Sequence, residues 1–287
     1  MTWGRDMSIS YVVAVGVADV RRNPDTHSEL VTQALMNVTA SGDRTEGEWT
    51  HVQLADYEGW IRTDELEDPI VKGFCKVGKT CGTPLKLVAV IMKTHIPVYV
   101  EAQGDEKLAT VYLSTALPVL DITGAQRVQV ALPGERTGWL QRESVAIRQQ
   151  NAAYPRADVA VVTAYARKFL DRPYLWGGTS WEGIDCSGLV QLCYRMGGYI
   201  LPRDGDQQHD FLPRSVKREE MQEGDLIFFG AKQITHVALA LNNREYIHAE
   251  GQNYDKVLIN TFESAAEHYY PRLDEIVWDI KRVVIEM

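Results

Sequence analysis

The tetrapeptide Gly59-Trp60-Ile61-Arg62 returns as Gly138-Trp139-Leu140-Gln141, and no other feature of the 287 residues constrains the fold as much. Ser28-Glu29-Leu30-Val31-Thr32 is echoed by Glu106-Lys107-Leu108-Ala109-Thr110, and an apolar residue closes each copy, as Leu66 and as Val145. An offset of roughly 78 residues holds at every anchor, which argues for two copies of one small module. Between the anchors, residues 11–17, 48–54 and 60–62 read as short strands. Asn23-Pro24-Asp25 and Ala40-Ser41-Gly42-Asp43 read as turns. Two all-β modules are therefore expected within residues 1–150, with Trp60 and Trp139 packed in their cores.

Beyond the polar link Gln149-Gln150-Asn151 the pattern changes period. Val162, Tyr165, Ala166 and Phe169 recur at helical spacing until Pro173 stops them. Tyr174-Leu175-Trp176-Gly177-Gly178 follows, then Asp185-Cys186-Ser187-Gly188. From Cys186 the apolar positions 186, 189, 190, 193 and 196 make a second helical stripe, ended by Gly197-Gly198. Cys186 thus falls in the first turn of a helix. There the unpaired N–H groups and the helix dipole favour a thiolate, lowering its pKa, and can hold an oxyanion. Cys193, two turns on, is expected in the core. Asp185 stands where a helix N-cap would stand, a sufficient use of Asp on its own.

A thiolate nucleophile needs a proton acceptor. Gly224-Asp225-Leu226-Ile227-Phe228-Phe229 reads as a strand, and the next two strands carry one histidine each, His236 and His248, around a turn at Asn242-Asn243. A two-residue turn would put the two histidines on opposite faces of the hairpin. An odd-length loop or a bulge would put them on one face, a diagonal apart. His27, His51, His95, His209 and His268 have no comparable setting and are expected to be surface or structural.

Composition excludes several classes. Hydrophobic residues make up 45% and charged residues 24%, as in an ordinary globular chain. The net charge is −9, with 15 basic against 19 acidic residues in 1–150 and 15 against 20 in 151–287. No basic stripe marks a nucleic-acid binder. Four cysteines are too few for a disulfide scaffold, and Cys75 and Cys81, five residues apart without a neighbouring Cys or His pair, do not make a standard zinc pattern. No metal or cofactor is expected. The longest apolar stretch near the N-terminus is too short to span a membrane and lacks the flanks of a signal peptide, so a cytoplasmic protein is expected.

Residues 157–287 resemble the NlpC-type papain-like cysteine peptidases of bacterial cell-wall metabolism. Tyr174 to Gly178, Asp185-Cys186-Ser187-Gly188, Leu201-Pro202-Arg203 with Gln207-Gln208, Gly224-Asp225-Leu226 and Thr235-His236-Val237 carry the resemblance. The paired β modules resemble bacterial SH3-like barrels. The resemblance implies a multidomain chain, two all-β SH3-like barrels followed by an α+β papain-like domain. The boundaries it suggests are 1–70, 71–150 with a linker, and 151–287. It implies a triad of Cys186, His236 and His248, with Tyr174 at the oxyanion.

The arrangement resembles that of γ-D-glutamyl-L-diamino acid endopeptidases, which act on peptidoglycan stem peptides with a free N-terminal L-Ala, and this implies a role in cell-wall recycling. In that subgroup Asp185, Ser187 and Trp176 would contact substrate, with Tyr57 and Glu29 of the first barrel facing the amine. Gly205 stands where the family often carries Ser or Thr. Two other readings remain open on the same residues: a non-catalytic wall-peptide binder, and a thiol acyltransferase or amidase.

Overall fold

A computed structural model describes residues 9–69 and 86–283; the Cys75–Cys81 segment lies outside these. The chain divides into two compact units, Met1–Ala153 and Tyr154–Met287.

Among the described residues the first unit holds two seven-stranded sheets. One comprises β1 (Ile9–Val13), β2 (Val17–Arg21), β3 (Leu30–Leu35), β4 (Thr39–Glu46), β5 (Trp49–Gln53), β6 (Glu58–Arg62) and β7 (Leu66–Glu67), in the order β3-β2-β6-β5-β4-β1-β7. The other comprises β8 (Leu87–Ile91), β9 (His95–Tyr99), β10 (Lys107–Tyr112), β11 (Ala116–Asp121), β12 (Arg127–Leu132), β13 (Arg136–Gln141) and β14 (Val145–Gln149). Its order is β10-β9-β13-β12-β11-β8-β14, the same path through the sheet. The repeat in sequence is a repeat in topology, down to one bridge: Trp60 pairs with Arg21, and Trp139 with Tyr99.

The glycine before each tryptophan lies where strands crowd. A Cβ at Gly59 would stand 2.7 Å from the Arg21 carbonyl oxygen, and one at Gly138 would stand 2.3 Å from a Val98 methyl. The two tryptophans differ: Trp60 is buried as expected, and Trp139 is not. Strand side chains alternate between faces, and it is Ile61 and Leu140 that enter the two hydrophobic clusters. Trp60 is buried on the outer face beneath His51 and Arg44, while Trp139 is only half-covered.

Residues 40–43 are not a turn either. They run inside β4, where Gly42 leaves room for the Tyr11 ring, 2.6 Å from where a Cβ would sit, and a bulge follows at residues 42–44. The predicted strand over 11–17 is two strands broken at Ala14–Gly16.

The second unit opens with α1 (Val159–Lys168), capped by Asp158, whose carboxylate accepts from the Ala160 amide at 2.9 Å. The short strands β15 (Thr179–Ser180) and β16 (Gly183–Ile184) lead to α2 (Cys186–Met196) and α3 (Gly205–Phe211). Next come β17 (Arg214–Ser215), β18 (Leu226–Phe229), β19 (His236–Ala240), β20 (Glu245–Glu250), β21 (Lys256–Thr261), α4 (Pro271–Glu275) and β22 (Val277–Arg282). The strands form an antiparallel sheet in the order β17-β22-β18-β19-β20-β21. Helix α2 packs on β19 and β20 and against α1. Its stripe of Leu189, Val190, Leu192 and Cys193 is buried, Cys193 completely. That packing directs the N-terminus of α2 at the strand that carries His236.

Candidate active site

Cys186 is the first residue of α2 and is half-buried. The amides of Val237 and Ser187 direct hydrogen bonds at its sulfur, so the chain immediately after His236 touches the thiol. The helix-start position does not depress its pKa. Burial, assisted by the neighbouring Asp185 carboxylate, pushes the thiol up to about 12, against the pull of the two amides and Arg203. His236 is likewise held neutral: burial and the nearby His248 keep it well below the usual histidine range. A neutral thiol and a neutral imidazole can still work as nucleophile and base, provided the proton moves as the sulfur attacks.

The two histidines share one face. Leu239 pairs with Ile247 and Ala240 with Tyr246, and the Leu241 amide donates to the Glu245 carbonyl at 2.8 Å. The connecting loop is therefore three residues, Asn242 to Arg244. The Asn242 side chain organises it by accepting from the Arg244 and Glu245 amides at 2.8 and 2.9 Å. The odd loop sets His248 diagonal to His236, with His236 Nε2 2.8 Å from His248 Nδ1. His248 Nε2 lies 2.8 Å from Asn260 Oδ1, and Asn260 Nδ2 donates to the His268 carbonyl at 2.7 Å. His248 and Asn260 are buried, and burial drives His248 down to about 4 despite the opposing pull of Asn260 and Glu250.

Tyr174 stands near Cys186 and Asp185. Its amide donates to the Asp255 carbonyl at 3.0 Å, and its ring lies where a Cβ on Gly251 would be 2.5 Å from Cδ1. Burial raises the phenol pKa, and the neighbouring Cys186 and Asp185 raise it further, so the hydroxyl stays a donor. Trp176 is 60% exposed on the same loop.

Asp185 caps α2, accepting from the Gly188 amide at 2.6 Å, and also takes the Gly177 amide at 2.9 Å. Arg203 adds two hydrogen bonds to its carboxylate, at 3.0 and 2.6 Å, and Ser187 Oγ donates at 3.3 Å. Arg203 is 1% exposed and reaches Ser187 Oγ as well, at 2.9 Å. Gln208 of α3 donates to the carbonyls of Ser187 and Pro202 at 3.1 and 3.0 Å, holding the Arg203 loop to α2. The glycines are obligatory here: a Cβ on Gly188 would lie 2.4 Å from the Gly178 carbonyl oxygen.

Glu29 and Tyr57 belong to the first unit. Glu29 accepts from Arg22 Nε at 2.5 Å, and Tyr57 packs partly against the first barrel's core.

Arg203, Gln208, Asn260 and Gly251 had no role in the sequence reading. The first two lay inside a quoted motif, but only folding shows that the guanidinium is buried on Asp185. Among the described residues, no group of three or more His, Cys, Asp or Glu is placed to hold a metal, and no helix is long and apolar enough to cross a membrane.

Comparison with known proteins finds matches in both units. The NlpC/P60 family profile matches residues 171–273, and the bacterial dipeptidyl-peptidase SH3 domain profile matches residues 20–66. A γ-D-glutamyl-L-lysine dipeptidyl-peptidase of Bacillus cereus is 29% identical over 238 residues, covering 77% of this chain and 68% of that protein. Dipeptidyl-peptidase 6 of Lysinibacillus sphaericus is 29% identical over 252 residues, covering 83% and 86%. The crystal structure of an NlpC/P60 family protein from Bacillus cereus superposes with a TM-score of 0.79 over 95% of this chain and 99% of that one. At 20% identity that likeness speaks for the fold. The chain is thus a β-rich SH3-like region followed by an α+β NlpC/P60 domain.

Proposed function

We propose that this chain is a cysteine endopeptidase that hydrolyses the γ-D-Glu–diamino acid bond of peptidoglycan stem peptides carrying a free N-terminal L-Ala. The observation that carries the reading is Cys186 at the start of α2, met by the amide of Val237 next to His236, with the buried chain His236–His248–Asn260 behind it, both of its contacts at 2.8 Å. The names of the two relatives support the choice of bond.

In the proposed reaction the Cys186 sulfur bonds to the γ-glutamyl carbonyl carbon while its proton passes to His236. The N–H groups at the start of α2 and the Tyr174 hydroxyl take the oxyanion. His236 returns the proton to the departing diamino-acid nitrogen as the C–N bond breaks, leaving a thioester. Water, deprotonated by His236, attacks the thioester and releases the carboxylate and the thiol. His248 accepts from His236 throughout and keeps the ring aligned.

Substrate selection is assigned to Asp185, Ser187 and Trp176. Asp185 already receives donors on both oxygens, so a substrate ammonium must displace one of them. Ser187 Oγ, at 3.3 Å the longest of these contacts, is the one to yield. An acceptor carboxylate for the substrate amine favours a free α-ammonium over an N-acylated peptide, which suits recycling of released fragments in the cytoplasm.

The test is mass spectrometry of L-Ala-γ-D-Glu-L-Lys and its N-acetyl derivative after incubation with the protein. Cleavage of the free peptide alone supports the reading. Equal cleavage of both removes the amine pocket. Binding without cleavage favours a wall-peptide binder, and acyl transfer to an added amine favours a transferase.

A further inference from the structure

The buried chain does not stop at His248, and its last member sets the protonation of the rest. Asn260 lies on β21, where His248 pairs with Leu258 and Tyr246 with Asn260. It is diagonal to His248 on the same face, repeating the step between His236 and His248 across β19 and β20. Asn260 is 1% exposed and His248 is fully buried, so solvent does not supply alternative partners.

The direction of every hydrogen bond then follows from one carbonyl. The His268 carbonyl only accepts, so the group 2.7 Å from it is the Asn260 amide nitrogen. That turns Asn260 Oδ1, an acceptor, to His248 Nε2 at 2.8 Å, and Nε2 must carry the hydrogen. A neutral imidazole has one N–H, so His248 Nδ1 presents a lone pair. Its partner at 2.8 Å, His236 Nε2, must therefore donate. His236 Nδ1 is left bare, the form that can take a proton from Cys186.

We infer that Asn260 is a positioning residue that, through the His268 carbonyl, locks His248 and hence His236 in the single tautomer able to deprotonate Cys186. The inference rests on the thiol-peptidase reading, because it assigns His236 as the base. Without Asn260, His248 is free to carry its hydrogen on either nitrogen. When Nδ1 carries it, His248 donates to His236 Nε2, and His236 takes its hydrogen on Nδ1, where it blocks the base.

The experiment is 15N NMR of histidine-labelled protein, combined with kinetics of Asn260→Leu and Asn260→Asp. The wild type should show His248 protonated at Nε2 only and His236 protonated at Nε2 only. Asn260→Leu should mix the tautomers and lower kcat on L-Ala-γ-D-Glu-L-Lys by roughly tenfold or more, with KM within about twofold. Iodoacetamide alkylation of Cys186, followed by peptide mass spectrometry, should slow in the same variant. Asn260→Asp, which keeps the acceptor, should retain the His248 tautomer and recover part of the rate.

A wild-type His248 protonated at Nδ1 overturns the inference whether or not the Leu variant folds. So does Asn260→Leu that mixes the tautomers yet keeps kcat and alkylation within twofold. If the peptide is not cleaved, the substrate reading fails, while the tautomers and the alkylation rate still decide the role of Asn260.

Discussion

Arg203 binds both carboxylate oxygens of Asp185, the residue just before the nucleophile, at 3.0 and 2.6 Å, and only 1% of its surface meets solvent. The same carboxylate caps α2 and takes the Gly177 amide. One anion thus joins the Trp176-Gly177-Gly178 loop, the helix start and the Arg203 loop. A bidentate guanidinium suits this geometry, which a lysine ammonium cannot reproduce.

Asp185→Asn should leave a buried guanidinium unpaired and destabilise the protein by about 3–5 kcal/mol. Arg203→Met alone should cost a similar amount, and the double variant should cost clearly less than the sum of the two. Guanidinium unfolding of all four proteins checks this. Additive losses would mean that the pair is not coupled as its geometry indicates.

Cys186 should not behave as a pre-formed thiolate. With its thiol pushed up to about 12 by burial and by Asp185, alkylation should keep rising with pH past about 9. A plateau below that value, read from the pH profile of modification at Cys186, would show that the helix start outweighs burial after all.

His248 should make the fold acid-sensitive. Burial lowers it from 6.5 to about 4, so between those values the unfolded chain binds the extra proton and the folded one does not. The stability is therefore complete above about pH 6.5 and is lost as pH falls to about 4, by about 3 kcal/mol. His236, shifted in the same direction, adds to the loss. Unfolding free energies at pH 7 and pH 4.5 should differ less in His248→Gln than in the wild type. An unchanged difference would rule the histidine out as the cause.

Gly251→Ala should act on catalysis through Tyr174. The added methyl would lie 2.5 Å from the ring, and the ring has to move. We expect kcat to fall about tenfold or more, a misplacement effect. Tyr174→Phe combined with Gly251→Ala should be hardly worse than Tyr174→Phe alone. Independent losses in this cycle would place the effect of Gly251 elsewhere.

Gly205→Ser should be well accommodated. A Cβ there meets Val237 at 3.8 Å and Ile234 at 4.0 Å, ordinary contact distances. Stability should stay within about 0.5 kcal/mol of wild type, as measured by thermal melting.

Periodicity and spacing made much of this architecture legible. The Gly-Trp repeat indicated two like modules, and both follow one strand order. The stripe from Cys186 to Met196 is α2, because burying an apolar face every three to four residues is a local demand of a helix. Local rules failed where side chains from distant segments fill or cover space. His51 and Arg44 cover Trp60 while Trp139 is left half-covered, and residues 40–43 stay in a strand because Tyr11 packs on Gly42.

The absence of a basic stripe, the Asp-Cys-Ser-Gly helix start and the order of Cys186 before His236 and His248 are written in the residues alone. Each depends on composition or short-range spacing. The face shared by the two histidines needed the three-residue loop after Leu241, a choice between registers that the residue pattern left open. Arg203 on Asp185, Asn260 behind His248 and the raised thiol all required the folded chain. Each depends on which distant groups are buried together, and burial acts on a charge or a hydrogen bond only once water has been excluded.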